Sequence, residues 1–204
     1  MMLDVYLDLG NVAGLLALES TLRMAEETGT DIRWLPIQGI VPRPLSREPK
    51  SNPDDPLSDY KHLRWQAKHK FELAELERDC ARLDLPLEYA RQAFDATLTH
   101  FVWFGLLQAN LPPLDYIRRV YQMRFRAGKS LESEADVQAL AAEFGVAAEF
   151  ESLSSAWIQH QDVYQALGIH DSPSYVLNEE TFQGRQHLPL IRWRIEGEQG
   201  LPPL

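Results

Sequence analysis

Gly168-Ile169-His170-Asp171-Ser172-Pro173-Ser174-Tyr175-Val176-Leu177 is the stretch whose reading decides the fold. A helical pattern stops at Gly168, a short loop follows, and Ser172-Pro173 opens a run with strand character. Proline lacks a backbone N–H and accepts a cis peptide bond far more readily than other residues do. A Ser-Pro at the mouth of a strand can therefore leave the backbone N–H and C=O of the preceding residue free and facing outward. Such an edge can pair with an extended peptide as an added strand.

The N-terminal segment supplies a partner for that strand. Leu3, Val5, Leu7 and Leu9 alternate with Asp4, Tyr6 and Asp8, a period of two that reads as a strand. Gly10-Asn11 breaks it. Leu15, Leu18, Leu22 and Ala25 then mark a helix that stops at Thr28-Gly29. Asp31 to Pro36 reads as a second strand, so the first 36 residues form a βαβ unit. At the other end, Tyr175–Leu177 and Thr181–Phe182 flank Asn178-Glu179-Glu180 as a hairpin, and Gly184 precedes a last helix carrying Leu188, Ile191 and Ile195.

The two β segments enclose a helical block. Pro42, Pro44, Pro49, Pro53 and Pro56 define a loop over 41–58, and the chain from Asp59 to about Met123 reads as helical with breaks at Leu85-Pro86 and Leu111-Pro112-Pro113. Ser133-Glu134-Ala135-Asp136 has the form of a capping box opening a helix that Gly145 stops. A further helix runs from about Ala147 to Leu167. The apolar run Phe101-Val102-Trp103-Phe104-Gly105-Leu106-Leu107 is either buried core or, at Trp103 and Phe104, the lining of an aromatic substrate pocket. The pattern assigns 1–40 and 147–204 to a thioredoxin-like α/β domain and 59–146 to an all-helical insertion, joined by the proline-rich loop.

Composition narrows the function. A net charge of −10 argues against nucleic acid and against an anionic membrane surface as partners. No apolar run reaches the ~18 residues of a membrane span, and no secretory leader is visible at the N-terminus, which fits a cytoplasmic protein. The single cysteine, Cys80, shares a helical apolar face with Leu73, Leu76 and Leu83, the pattern of a buried small hydrophobe. One cysteine cannot form the C-x-x-C pair of a dithiol redox enzyme. His62 and His69 have no Cys or acidic cluster to complete a metal site, so no metal is expected.

Four blocks in this order resemble the DsbA-like superfamily of thioredoxin folds, and more narrowly the 2-hydroxychromene-2-carboxylate isomerases and kappa-class glutathione transferases. Tyr6-Leu7-Asp8-Leu9-Gly10-Asn11 is similar to a family Y-F-D-F-x-S, and Lys68-His69-Lys70-Phe71 through Leu76-Glu77-Arg78 to K-x-x-Y-x-x-x-D-L-x-R. Ala166 through Val176 is similar to A-x-x-x-G-V-x-G-x-P-T-F-V, and Phe182-Gln183-Gly184-Arg185-Gln186-His187-Leu188 to F-W-G-x-D-R-L. The resemblance implies a glutathione-dependent isomerase or transferase of small aromatic compounds, and a homodimer. It implies that Pro173 is cis, that Ser172 offers its backbone to glutathione, and that Lys68 meets a glutathione carboxylate. Asn52 falls where the family has an asparagine contact. Asn11 replaces the serine that holds the thiolate, and Gln186 and His187 replace the Asp and Arg at the γ-glutamyl end.

Two candidate chemical groups stand beside these positions. Asn11 is a helix N-cap, a thiolate stabiliser, or both, since its amide N–H can donate to sulfur at the positive end of a helix. His170, next to Asp171, is either a proton shuttle held by an acid or part of a solvated loop. The alternative to an enzyme is a non-catalytic relative that binds a peptide or another thiol at the cis-proline edge. The lack of a cysteine between Gly10 and Gly14 argues against a third reading, disulfide exchange of the DsbA kind.

Overall fold

A computed structural model describes residues 1–39, 57–92, 94–147 and 150–203. The central sheet is formed by β1 (Met2–Leu7), β2 (Asp31–Pro36), β3 (Ser174–Leu177) and β4 (Glu180–Gln183) in the order β2-β1-β3-β4. β1 and β2 run parallel, with Val5 opposite Trp34, while β3 is antiparallel to β1, with Val5 opposite Tyr175. The period-two pattern of β1 has its expected result: Leu3, Val5 and Leu7 have no exposed surface. Asp4 points to the other face and pairs with Arg33 of β2.

β1 ends at Leu7, two residues before the alternation runs out. The cause is Asp8, whose carboxylate turns back to accept the Gly10 N–H and so closes a turn before the helix. That helix, α1 (Val12–Thr28), begins at Asn11, whose Oδ1 accepts the Ala13 N–H at 2.9 Å. It ends at Gly29, whose φ of 67° is one that a residue with a Cβ adopts at a cost.

The helical block comprises α2 (Ser58–Leu83), α3 (Leu87–Ala90), α4 (Thr97–Gln108), α5 (Leu114–Phe125), α6 (Glu134–Glu143) and α7 (Phe150–Ala166). The α2–α3 and α4–α5 breaks fall at the prolines read from the sequence, whereas α3 and α4 are separated by a stretch, 91–96, that contains no proline and is not read as a break from the sequence. Ser133 caps α6 through the Asp136 N–H. The hairpin turn is tighter than the sequence pattern implied: only Asn178 and Glu179 form it, both with positive φ, and Glu180 already pairs with Leu177. A short 3₁₀ turn (Arg185–His187) leads into α8 (Leu188–Ile195).

One continuous core joins the sheet to the helical block, since Leu3, Val5 and Tyr175 belong to the same buried cluster as Trp103, Tyr116, Tyr121 and Leu140. Cys80 is buried on α2, as its apolar face predicts. Among the described residues no helix is long and apolar enough to cross a membrane.

Candidate functional site at the cis-proline edge

The Ser172–Pro173 peptide is cis, and this loop lies against the N-terminus of α1. The Asp8 N–H donates to Ser172 Oγ at 2.8 Å, and Gly14 brings the first turn of α1 so close to the loop that a Cβ there would lie 3.2 Å from Ser172 Oγ; from α5, the Tyr121 hydroxyl donates to the Asp8 carbonyl at 3.1 Å. Ser172 is therefore a buried structural tie as well as the residue before the proline. The Pro173 carbonyl accepts the Gly184 N–H at 2.8 Å, which fastens the β4 end to the same loop.

Asn11 sits at the mouth of this junction, partly exposed. Capping occupies its Oδ1, so the amide nitrogen, whose assignment follows from that bond, is turned away from the helix. Among the described residues Nδ2 makes no hydrogen bond. Asn11 therefore caps α1, as one of its two readings has it, and presents an N–H₂ group at the positive end of a 17-residue helix.

The backbone of Ser172 departs from expectation. Its N–H donates to Asp171 Oδ1 at 2.8 Å instead of facing a ligand. Only its carbonyl is without a partner among the described residues. A peptide strand laid on this edge would have to displace the Asp171 carboxylate, a charge-assisted contact. The same geometry corrects the proton-shuttle reading. Asp171 is turned to the Ser172 N–H, and His170 is exposed, with no hydrogen bond to it among the described residues.

The buried acid–base pair at the site consists of two other residues. Asp8 has almost no exposed surface, and its oxygens accept N–H groups from Gly10 at 2.7 Å and Gly39 at 3.0 Å. His100 of α4, fully buried, stacks on Trp157 of α7 and accepts the Leu9 N–H at Nε2, 3.0 Å away. Accepting that bond requires an unprotonated Nε2, so His100 is neutral, and its 3.4 Å approach to Asp8 Oδ1 is not an ion pair. Burial, reinforced by Arg124, depresses the imidazole to about 3. Burial raises the Asp8 carboxyl to about 6 against the opposing pull of the Gly10 and Gly39 N–H groups. His100 was legible only as a lone histidine beside the apolar run of α4, a pattern shared by many core histidines.

The other expected site residues are dispersed. Lys68 lies exposed on α2, with Nζ 3.5 Å from Glu72 of its own helix. Gln186 is exposed and donates to the Gln183 carbonyl, and the His187 ring lies 6.0 Å from Phe182. Both follow Gly184, which is bonded to Pro173. Asn52 lies outside the described residues. Trp103 and Phe104 do not line a pocket. Trp103 has no exposed surface, and Phe104 is packed against Trp157 and His160 of α7. They serve the core because α4 is covered on several sides, by α5, α6 and α7. The hollow beside the site, about 540 Å³, is lined instead by Gln38, Gly39, Phe101, Trp157, Ile158 and Gln161.

A four-stranded mixed sheet, a cis-proline facing the first helix and a helical block between β2 and β3 together define a known architecture. The fold is the DsbA-like thioredoxin fold. A 2-hydroxychromene-2-carboxylate isomerase superposes with a TM-score of 0.64 at 16% identity, over 96% of this chain and 95% of that one. A probable DsbA oxidoreductase from Streptomyces coelicolor gives 0.55 at 14% identity, over 100% of this chain and 93% of that one. The cytosolic disulfide reductase DsbM from Pseudomonas aeruginosa, solved with GSH, gives 0.53 at 16% identity, over 97% and 98%. No protein-family model and no curated protein sequence matches the chain. This chain has no cysteine where α1 begins, and its one cysteine is buried on α2.

Proposed function

We propose that the protein is a glutathione-dependent isomerase or transferase of small aromatic compounds, working at the α1 N-terminus. The observation that carries this reading is the orientation of Asn11: with Oδ1 committed to the cap, the amide N–H₂ is available to a sulfur anion beside the helix N-terminus. Glutathione, when bound, supplies a thiol nucleophile that adds reversibly to conjugated or electrophilic carbon. The sulfur end of such a ligand fits the residues present. The fit is poorer at the backbone, where Ser172 offers a carbonyl but not its N–H.

The chain's own residues have three tasks in this reading. Asn11 and the first-turn amides of α1 lower the free energy of the thiolate relative to the thiol. The Ser172 carbonyl, beside cis-Pro173, accepts a backbone N–H of the ligand and orients it along the edge. The exposed Ile158, with the edges of the largely buried Phe101 and Trp157 that line the hollow, offers an apolar wall to a planar aromatic acceptor.

Asn11→Asp separates this chemistry from folding. The aspartate keeps an oxygen for the Ala13 N–H and suits a helix N-terminus, so stability stays within about 0.5 kcal/mol. It replaces the N–H₂ donor with an anion, so the pKa of the bound thiol rises by about 1 unit or more. Titration calorimetry with reduced glutathione measures the binding, and the ultraviolet thiolate band followed against pH measures the ionisation. No binding to the parent chain, or an unchanged thiol pKa in the variant, removes the proposal.

A further inference from the structure

A second hollow, of about 450 Å³, lies where α1 meets the helical block and shares no lining residue with the one beside the cis-proline edge. Leu18 of α1, Leu85 after α2 and Tyr121 of α5 are buried and form its floor. Leu15, Leu83 and Phe144 are partly buried and form its sides. A concave apolar surface of this size between two layers of a fold is of the kind that holds small ligands.

One face of α5 runs along this floor. Asp115, Arg118, Arg119, Gln122 and Arg126 follow the spacing i, i+3, i+4, i+7, i+11, and all of them line the hollow. Two of the arginines are matched within the chain: Arg118 stands 3.5 Å from Glu19 of α1, and Arg119 3.5 Å from Glu143 of α6. Asp115 and Arg126 are not. Among the described residues Asp115 has no ion-pair partner, and the Arg126 guanidinium donates to the Leu83 and Asp84 carbonyls, which carry no full charge, rather than to a carboxylate. An i, i+11 spacing is about three turns of helix, so the two positions share a bearing within about 20° and stand about 16 Å apart along the axis. The hollow thus has an unmatched acid at one end, an unmatched base at the other and apolar surface between them.

We infer that this hollow binds a short apolar peptide with free termini, its ammonium group toward Asp115 and its carboxylate toward Arg126. A ligand with one charge would leave one end of the hollow unmatched, and a ligand with none would leave both. A tetrapeptide extended at about 3.3–3.6 Å per residue spans about 13–14 Å, which leaves room for a contact at each end. Its apolar side chains rest on Leu15, Leu18 and Leu85. The α5 dipole, about half a charge at each end, opposes this orientation and is outweighed by the two full charges. The site does not depend on the thiol chemistry proposed above.

Calorimetric titration of the full chain with the peptide Leu-Ala-Ala-Leu tests this directly, and saturation at one site per chain is expected. Acetylating the peptide N-terminus or amidating its C-terminus weakens binding about fivefold each, the upper range for an ion pair at a partly exposed site. Variants assign each end. Asp115→Asn weakens the free peptide by the same factor and leaves the acetylated peptide unaffected, because the partner of Asp115 is already gone. Arg126→Gln does the same for the amidated peptide. The Asp115→Asn cycle stands on its own if loss of the Arg126 contacts loosens the end of α2. Leu15→Trp, with an unchanged circular dichroism spectrum, fills the hollow from its side and abolishes binding. None of these readouts uses glutathione, so they are separate from the test of the thiol reading. No one-site binding to the parent chain, equal affinity for free and blocked peptides, an equal effect of Asp115→Asn on free and acetylated peptides, or binding that survives Leu15→Trp overturns the inference.

Discussion

Replacing His100 by glutamine makes the protein gain stability on acidification, by about 3 kcal/mol relative to the parent chain between about pH 7 and pH 4. The buried imidazole titrates near 3 in the folded state, well below its ordinary 6.5, because it is desolvated and lies near Arg124. Its Nε2 is also engaged by the Leu9 N–H. Between those two values the unfolded chain binds a proton that the folded chain refuses, so the His100 contribution is complete above 6.5 and is lost as pH falls toward 3. Glutamine keeps an acceptor for the Leu9 N–H and cannot titrate.

Asp8 works in the opposite direction. Its folded value of about 6 lies above the ordinary 3.8, so its contribution is complete below 3.8 and is lost as pH rises through 6. The two slopes nearly cancel in the parent chain over the interval they share. Asp8→Asn therefore exposes the His100 term and loses about 2 kcal/mol relative to the parent over the same acidification. Urea unfolding at a series of pH values measures both. Parallel stability curves for the parent and His100→Gln would mean that the imidazole is not held neutral.

The second large effect is at Gly14. A Cβ there would stand 2.1 Å from the Tyr121 hydroxyl and 3.2 Å from the Asp8 carbonyl. Tyr121 is fully buried, so its rigid ring cannot step aside without losing the bond to Asp8. Gly14→Ala is expected to cost about 2–3 kcal/mol, despite the ~1 kcal/mol that alanine ordinarily contributes within a helix. Tyr121→Phe removes the obstructing oxygen for about 1 kcal/mol, the worth of the lost bond. In that background Gly14→Ala should cost less than about 1 kcal/mol, a coupling that chemical denaturation of the four chains measures. Additive costs would show that the close approach of α1 to the cis-proline loop is not what demands glycine at 14.

Asn11 and Pro173 were readable because their roles are local. A polar residue after a broken alternation marks a helix start, and a Ser-Pro before a strand marks a turn. The misread residues are those whose role depends on what covers them. Trp103 and Phe104 lie in a run equally suited to a pocket wall and to a core, and only the placement of α5, α6 and α7 around α4 makes it core. The Asp171 carboxylate was adjacent to His170 in sequence, but one rotation about its side chain gives it to the Ser172 N–H.

The sequence by itself determined the order of strands and helices, the helix ends at Asn11 and Gly29, the Ser-Pro junction before β3 and the lack of a cysteine where α1 begins. These follow from backbone preferences and residue inventory, which act over a few positions. Tertiary structure alone decided that Asp8 and His100, 92 positions apart, share one buried junction, and that Ser172 ties the loop to β1. Those outcomes depend on which surfaces meet once the chain has folded, and on the cost of removing charge from water where they do.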